Sequence, residues 1–366
     1  MYDVKVIGAG PAGSFCANHL ARLGYSVQLV DRATFPRDKL CGGVLTLKSL
    51  NLLRRLEPSF DNSGLAEYIH DLVLVQPTTL EQSRTRIGRD CIALVHRRDF
   101  DAWLLQRALD AGVEFSPTPG EARFTVAADG AGSQLGPTVR GAFRNDEIAV
   151  ATECVLKSDT GPFLAVILNP TRDPNDLGYS WAFARSDTVA IGTGVRRSLD
   201  THLLVYRASA VRVAEKVFGY KCTGFTNWII PIYRQRRAAK ENLALIGDAL
   251  GTADPLFVEG IASGLYSAKV LVDAFHSSGD FSTYQEALAA HPYFRSMRLI
   301  AMLQRRGNAD YELAFRIFSA PDELGQVMGM IAGTQTPLNY VLRLAASHPL
   351  TVLRIWLKNR GILHAT

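Results

Sequence analysis

The sequence predicts an α/β protein in which a doubly wound unit is interleaved with a mainly β-sheet unit and followed by a helical C-terminal region. Three observations predict this. Residues Asp3 to Asp31 read as strand, glycine-rich turn, helix and strand. A second strand, turn and helix run from Leu243 to Phe275. Strand-like runs such as Phe163 to Leu168 and Thr188 to Ile191 lie between them, and beyond Phe281 helical patterns are punctuated by Pro292, Pro321, Pro337 and Pro349.

Each part of the opening motif has a physical reason. Val4, Val6 and Ile7 form the apolar run of a buried parallel strand. Gly8, Gly10 and Gly13 follow in GxGxxG spacing. The first glycine permits the tight turn, the second lets the backbone approach a pyrophosphate, and the third allows close helix–strand packing. Ser14 to Leu23 has helical periodicity, with Phe15, Leu20 and Leu23 as expected buried positions. Gly24 stops the helix, and Tyr25 to Val30 forms a second strand closing on Asp31, whose carboxylate is placed to accept ribose hydroxyls. The strand-to-helix context makes this a Rossmann-type dinucleotide site rather than a chance glycine turn.

Composition narrows the classes. The chain has 366 residues, 47% of them apolar and 20% charged, which is enough for a large core and argues against disorder. Its net charge of +5 is dispersed without a basic stripe, so nucleic acid is not an expected partner. The five cysteines, Cys16, Cys41, Cys91, Cys154 and Cys222, give neither a disulfide framework nor a metal pattern. The chain runs from Met1 straight into a strand, so a cytoplasmic location is expected.

Three further segments narrow the dinucleotide. These are Ala128 to Ser133 (ADGAGS), Val95 to Ala108 with Arg97 and Arg98 before Phe100-Asp101, and Gly247-Asp248 leading through a Pro/Gly loop to a helix near Gly260. With the opening motif, this set closely resembles the flavin-dependent group of aromatic hydroxylases, flavin halogenases and geranylgeranyl reductases. The stretch Phe35 to Thr46 (FPRDKLCGGVLT) resembles the geranylgeranyl reductase branch, as does Gly178 to Val195 with its Tyr-x-Trp-x-Phe segment. The resemblance implies FAD, bound by Gly8, Gly10, Ala12, Gly13, Asp31, Arg32, Lys39, Cys41, Gly42, Arg97, Asp129, Gly247, Asp248, Gly260 and Ile261. In it Asp248 matches the acid that meets the ribityl chain, and the following helix aims its amino terminus at the flavin. Arg97 is equally readable as a solvated helix start.

Tyr179, Trp181 and Phe183 alternate and so share one strand face. Such a face serves as core or as binding wall; the resemblance implies the wall of a substrate cavity. Cys41 and Tyr179 are the candidate catalytic residues, either of which could deliver a proton, with water as the alternative. Cys41 is equally readable as a residue that only shapes the pocket.

Two departures stand out. Ala111 to Phe115 leads through Ser116 to Gly120 almost directly to Glu121, so a small crossover sheet usual in relatives is shortened here, which weakens any family-based nicotinamide contact. Val258 replaces a glycine in the loop after Asp248. No second GxGxxG is present, so electrons come from transient NAD(P)H or from a partner such as an external reductase or ferredoxin.

The expected organisation is a discontinuous FAD-binding domain (1–65, 90–150 and 240–280), a substrate-binding domain (66–89 and 151–239) and a helical region (281–366). The expected function is hydride transfer between flavin and an apolar organic substrate, most simply reduction of a carbon–carbon double bond. A monooxygenase and a non-enzymatic prenyl-binding protein are the alternatives. The tail Leu350 to Leu363, apolar with interspersed Arg354, Lys358 and Arg360, is expected either to cap the body or to lie on a membrane surface.

Overall fold

The computed structural model describes residues 1–88, 90–167, 178–255 and 257–304, together with Ala346. Strand β1 (Tyr2–Ile7), helix α1 (Pro11–Arg22) and strand β2 (Val27–Val30) form the first unit. Val4 pairs with Val27 and Val6 with Leu29 in parallel register, and Phe15, Cys16 and Leu20 of α1 are buried against them. Leu23 departs from expectation. It is the C-cap residue, where the helix has stopped turning its apolar face inward, and it is 41% exposed.

Strand β3 (Val44–Thr46) runs into α2 (Leu47–Leu56), and β4 (Glu67–Tyr68), β5 (Asp71–Val75), β6 (Gln82–Arg86) and β7 (Ile92–Leu94) follow. A three-stranded sheet has the order β3-β7-β4. Helix α3 (Arg97–Asp110) then leads to β8 (Glu114–Ser116) and β9 (Ala122–Ala127). Strands β8, β2, β1 and β9 are neighbours in that order and parallel, so the chain must cross two strands between β8 and β9. It does so with residues 117–121 alone. The Lys5 ammonium donates to Gly120 O (3.0 Å), Gly120 N–H donates to Gln28 Oε1 (2.7 Å), and Gln28 Nε2 donates to Thr118 O (3.2 Å). A strap therefore replaces a crossover sheet, and the otherwise buried Gln28 amide is satisfied by it.

After α4 (Gly136–Arg140) the chain builds the larger sheet from β10 (Ile148–Lys157), β11 (Phe163–Ile167), β12 (Tyr179–Ala184) and β13 (Thr188–Arg196), then α5 (Leu203–Phe218) and β14 (Thr226–Pro231). Its order is β14-β10-β13-β12-β11-β5-β6. One face carries Val73, Ala165, Ala182 and Ile191, packed on Ala210, Val213 and Ala214 of α5. The other face carries Leu72, Ala151, Leu164, Trp181 and Phe183, clustered with Ile69, Ile87, Ile92 and Leu94 around the three-stranded sheet.

Strands β15 (Ala239–Lys240) and β16 (Leu243–Leu245) complete the first sheet, in the order β15-β16-β9-β1-β2-β8. Helices α6 (Gly247–Leu250), α7 (Ile261–Ser278), α8 (Tyr284–Ala290) and α9 (Pro292–Gln304) follow. Helices α8 and α9 meet the helical expectation beyond Phe281 as far as Gln304, whereas Leu168 and the tail Leu350 to Leu363 lie outside the described residues. Among the described residues no helix is long and apolar enough to cross a membrane.

Register explains one glycine in the larger sheet. Glu153 pairs with Gly192 and Gly192 with Trp181, so the three share one face. The indole lies across Gly192, where a Cβ would stand 2.5 Å from the ring and 2.8 Å from Thr152 O. Gly192→Ala is expected to destabilise the protein by about 1–3 kcal/mol, the range for overpacking a fitted core. A urea melt with an unchanged midpoint would show that the indole is free to move.

Candidate active site

Two of the three motif glycines are fixed by the fold itself. Gly8 has φ +104°, and a Cβ there would lie 2.3 Å from Ala128 O. A Cβ on Gly13 would lie 1.8 Å from Gly8 O, so α1 reaches the turn only without a side chain. Gly10 differs: the nearest atom to its Cβ position is Arg37 Nη2 at 3.8 Å, so a Cβ there would meet only the end of that side chain in ordinary contact. No side chain caps the amino terminus of α1, which leaves its N–H groups and positive dipole end available to an anion. The Asp31 carboxylate accepts Ala9 N–H (2.8 Å) and Ala33 N–H (2.9 Å), which fixes it at the end of β2.

Beside this turn sits a basic cluster. Arg97, the first residue of α3, makes a bidentate pair with the fully buried Asp101 at 2.8 Å. Burial alone would lower the Arg97 guanidinium, but Asp101 and the Cys41 thiol beside it more than offset this and hold it above its ordinary value. Arg37 reaches Asp101 from the other side (3.2 Å), while its Nη1 is buried without a hydrogen-bond partner. The Arg37 guanidinium thus turns Nη2 toward both Gly10 and Asp101 and keeps Nη1 for a further acceptor, and with the uncapped α1 it is an arrangement that would suit a pyrophosphate. Lys39 lies 2.8 Å above the Trp228 ring, and burial first, then Arg97 and Arg37, lower its ammonium to about 8.

The second turn faces the same space. Gly247 (φ +57°) opens α6, and its N–H donates to Ser267 Oγ (2.9 Å). Burial raises the Asp248 carboxyl, while Lys39 and Arg97 partly oppose this. A Cβ on Gly260, the N-cap of α7, would lie 3.4 Å from Asp248 Oδ1, so the carboxyl stands at the positive end of that helix. Val258 keeps the backbone its substituted glycine would adopt, at φ +58°. The loop is held around it: Val258 N–H donates to Asp254 O (2.9 Å), Phe257 N–H to Asp254 Oδ1 (2.9 Å), and the Tyr179 hydroxyl to Phe257 O (2.8 Å).

The aromatic strand forms the remaining wall. Trp181 and Phe183 stack at 5.9 Å and are only 8% and 7% exposed. Trp181 Nε1–H donates to Glu153 Oε2 (2.9 Å), and Glu153 Oε1 is buried without a partner. Burial raises the Glu153 carboxyl. A Cβ on Gly42 would meet the Phe183 ring at 2.6 Å, so the Cys41-Gly42-Gly43 segment lies directly on this strand. Arg185, at the strand's end, donates to Gly42 O and through Nε to Val95 O (3.2 Å), which pins the segment in place. Cys41 Sγ accepts Gly43 N–H at 3.4 Å.

The structure thus brings together Gly8, Gly10, Gly13, Asp31, Lys39, Cys41, Gly42, Arg97, Asp248 and Gly260. It assigns other expected residues differently. The Ala12 side chain stands 3.1 Å from a Cβ position on Gly247 and 3.4 Å from one on Gly264, which makes it a spacer between helices. The Ile261 side chain enters the core, leaving only its backbone at the start of α7. Arg32 is exposed. Trp181 and Phe183 are mostly core, because Leu72, Leu164 and Leu94 pack with them, although the Phe183 ring also backs Gly42; Tyr179, half-buried, reaches the loop instead. Asp129 bonds Gln134 N–H (3.3 Å) through Oδ2, and its Oδ1 is buried without a partner.

Sequence reasoning missed Arg37, Glu153, Arg185 and Glu259. Arg37 lay within the recognised Phe35 to Thr46 stretch, whereas nothing local to Glu153, in mid-β10, or to Arg185, just beyond β12, signals that they converge on Gly42. Glu67, His96 and Asp187 also come together, with ligand atoms within 4.8 Å, but His96 bonds Asp187 (2.9 Å) and Glu67 accepts Ser186 N–H (2.7 Å). A cavity of about 330 Å³ lined by Tyr68, His70, Arg86, Ile87 and Asp90 shares no residue with this site.

Comparison with known proteins bears on the family and the fold. The FAD binding domain family matches residues 1–117. The chain is 30% identical to the geranylgeranyl diphosphate reductase of Rhodobacter capsulatus, with 76% of each chain covered. It is 28% identical to the menaquinone reductase of Mycobacterium tuberculosis, covering 82% of this chain and 83% of that one. Among solved structures, a geranylgeranyl bacteriochlorophyll reductase-like protein from Thermoplasma acidophilum superposes with TM-score 0.69 at 18% identity over 98% of both chains. A flavin-dependent brominase superposes with TM-score 0.72 at 17% identity over 94% of this chain and 98% of its own, a likeness of fold. With the glycine turn, the Gly247-Asp248 turn and the Cys41 segment meeting around one space, the chain belongs to the geranylgeranyl reductase-like family of FAD-dependent oxidoreductases.

Proposed function

We propose that this enzyme reduces a carbon–carbon double bond in an apolar, prenyl-like substrate. The observation that carries the reading is the Cys41-Gly42-Gly43 segment, clamped by Arg185 onto the aromatic strand and lying beside Arg97 and Lys39. The names of the curated relatives, reductases of geranylgeranyl diphosphate and of menaquinone, support a substrate with an isoprenoid part.

Bound FAD, once reduced, supplies the hydride. The chain's own residues do the rest. The α1 amino terminus, Arg37 and Asp31 hold the dinucleotide end. Asp248 is placed for a sugar hydroxyl, and the α7 amino terminus favours negative charge on a ring lying before it. Tyr179 bonds a backbone carbonyl, and burial raises its phenol far above the neutral range, so it positions the loop rather than releasing a proton. We place Cys41 at the edge of the reacting region, beside the Arg97 guanidinium. Electrons arrive from transient NAD(P)H or a reduced partner protein, since no second dinucleotide motif is present in the sequence.

Two glycines of one motif should fail in different ways. Gly10→Val should cost the FAD-free protein no more than about 1 kcal/mol, as for a poorer N-cap whose Cβ meets only the end of the Arg37 side chain, yet abolish FAD binding. Gly13→Ala should destabilise the FAD-free protein itself, because its Cβ meets backbone. Full flavin absorbance in purified Gly10→Val protein would show that the turn does not hold the cofactor.

Cys41→Ser tests the edge residue. If the thiol takes part in proton transfer, FAD should be retained while turnover slows by about 10²-fold or more. Turnover equal to wild type would leave Cys41 as packing.

The reaction class is tested by mixing chemically reduced enzyme anaerobically with geranylgeranyl diphosphate or menaquinone. The flavin should reoxidise as the product gains two hydrogens. Strict dependence on oxygen, with its label in the product, would establish an oxygenating enzyme instead. Bound prenyl probe without any flavin reoxidation would point to a carrier.

A further inference from the structure

We propose that Glu259 is the proton-holding residue of this site: a carboxylic acid placed between the 254–260 loop and the Cys41–Thr46 segment that provides the proton needed to complete double-bond reduction. The inference rests on the reductive reading above. Reduction of a double bond requires a hydride at one carbon and a proton at the other. The π pair becomes the new carbon–hydrogen bond to that proton, and reduced flavin is the hydride source. The proton must come from a nearby acid. Tyr179 is committed to Phe257 O, and Cys41 accepts a backbone N–H while lying against a guanidinium.

Three other buried carboxylates in this protein each meet an arginine. Asp101 has Arg97 and Arg37, Glu57 has Arg22, and Glu147 has Arg236 and Arg144. Such pairing keeps a carboxylate ionised. Glu259 is built differently. Its Oε1 accepts the Thr46 hydroxyl at 2.7 Å, and its backbone carbonyl accepts Asp254 N–H at 2.9 Å. The groups facing it are the Asp254 carboxylate of its own loop, Lys48 of α2, Tyr179 of β12, Tyr266 of α7 and Tyr293 of α9. Lys48 acts only at a distance, with its ammonium 5.7 Å from the centre of the Tyr293 ring. Tyr266 and Tyr293 stack at 4.5 Å and close the apolar side. A carboxyl whose donors are the hydroxyl and backbone of one threonine, facing a like charge and aromatic walls, prefers its proton. Burial, reinforced by Asp254 and opposed by Lys48 and Thr46, raises it to about 7. The Thr46 bond also joins Glu259 to the end of the strand that begins just after Gly43.

The sign follows from linkage. Above the ordinary value of 4.5 and up to about 7 the folded protein holds a proton that the unfolded chain releases. The penalty of burying the charged form therefore grows as pH rises through that window and is constant above it. Glu259→Gln should gain thermal stability relative to wild type at about pH 8 compared with about pH 4.

Infrared titration of FAD-loaded and FAD-stripped protein gives the direct test. A protonated-carboxyl band should titrate with a midpoint near 7 in wild type and vanish in Glu259→Gln. It should persist in Glu153→Gln, and its midpoint should fall in Asp254→Asn, where the like charge is removed. With geranylgeranyl diphosphate as probe, reoxidation of the reduced wild type should slow as pH rises through this midpoint. Glu259→Gln should be slower by about 10²-fold and lose that pH dependence, with FAD content unchanged. A band that survives Glu259→Gln, or a variant as fast as wild type, overturns the proposal. Wild type that titrates as expected but consumes neither prenyl probe nor menaquinone overturns the reductive reading and the proton-supply role with it, while confirming that Glu259 holds a proton.

Discussion

The buried Arg185 guanidinium organises the meeting point of the two sheets. It donates to Val95 O, at the entry to α3, and to Gly42 O, in the segment before β3. Its own backbone N–H bonds Thr188 O in the turn that ends β12. Three stretches distant in sequence are thus tied by one side chain that is 3% exposed. The Val95 carbonyl bond is buried, and leaving such a group without a partner costs about 1–3 kcal/mol. The clamp also brings Arg97, whose backbone opens α3, against Cys41, so the geometry of the basic cluster follows from it.

Among the described residues around that clamp, two kinds of carboxyl can be told apart. Asp101, Glu57 and Glu147 are matched by guanidinium groups and stitch helices to loops. Glu153 and Glu259 are matched only by neutral donors, the Trp181 indole and the Thr46 hydroxyl, and burial raises both. Removing an arginine from the first kind would strand a charge in low dielectric, at about 3–5 kcal/mol. The second kind can shed its charge by taking up a proton, which is why such groups are tolerated beside a site that handles protons.

Legibility in the sequence divides along the same physical line. Gly247-Asp248 was readable only through the family resemblance, whereas the Gly8–Gly13 turn and Asp31 were readable because a strand, a glycine turn, a helix and a carboxylate at the next strand end follow at a fixed spacing. The period-2 alternation of Tyr179, Trp181 and Phe183 was readable for the same reason, but the packing of Leu72 and Leu94 with two of the three was not, since those residues arrive from other strands. Arg185 and Glu153 act through partners that are over a hundred and about thirty positions away, and no spacing rule reaches that far. Ala12 and Ile261 were expected at the cofactor from the resemblance; their side chains follow the helical period into the packing between α1, α6 and α7.

Val258 shows how far the loop's shape is set from outside. A β-branched residue at φ +58° is strained by roughly 1–2 kcal/mol relative to a right-handed conformation. A β-branched side chain is thus carried in a conformation that favours glycine. The path is held by its anchors: Asp254 fixes both Phe257 and Val258 N–H, Tyr179 holds Phe257 O, and Thr46 holds the Glu259 carboxyl. Those anchors come from the loop, the larger sheet and the three-stranded sheet, so relaxing Val258 would require breaking contacts to all three. The amino terminus of α7 begins two residues later and inherits its direction from the same contacts. The site consequently depends on the geometry of this loop more than on the residue type within it, and the strain at Val258 is the local consequence of that requirement.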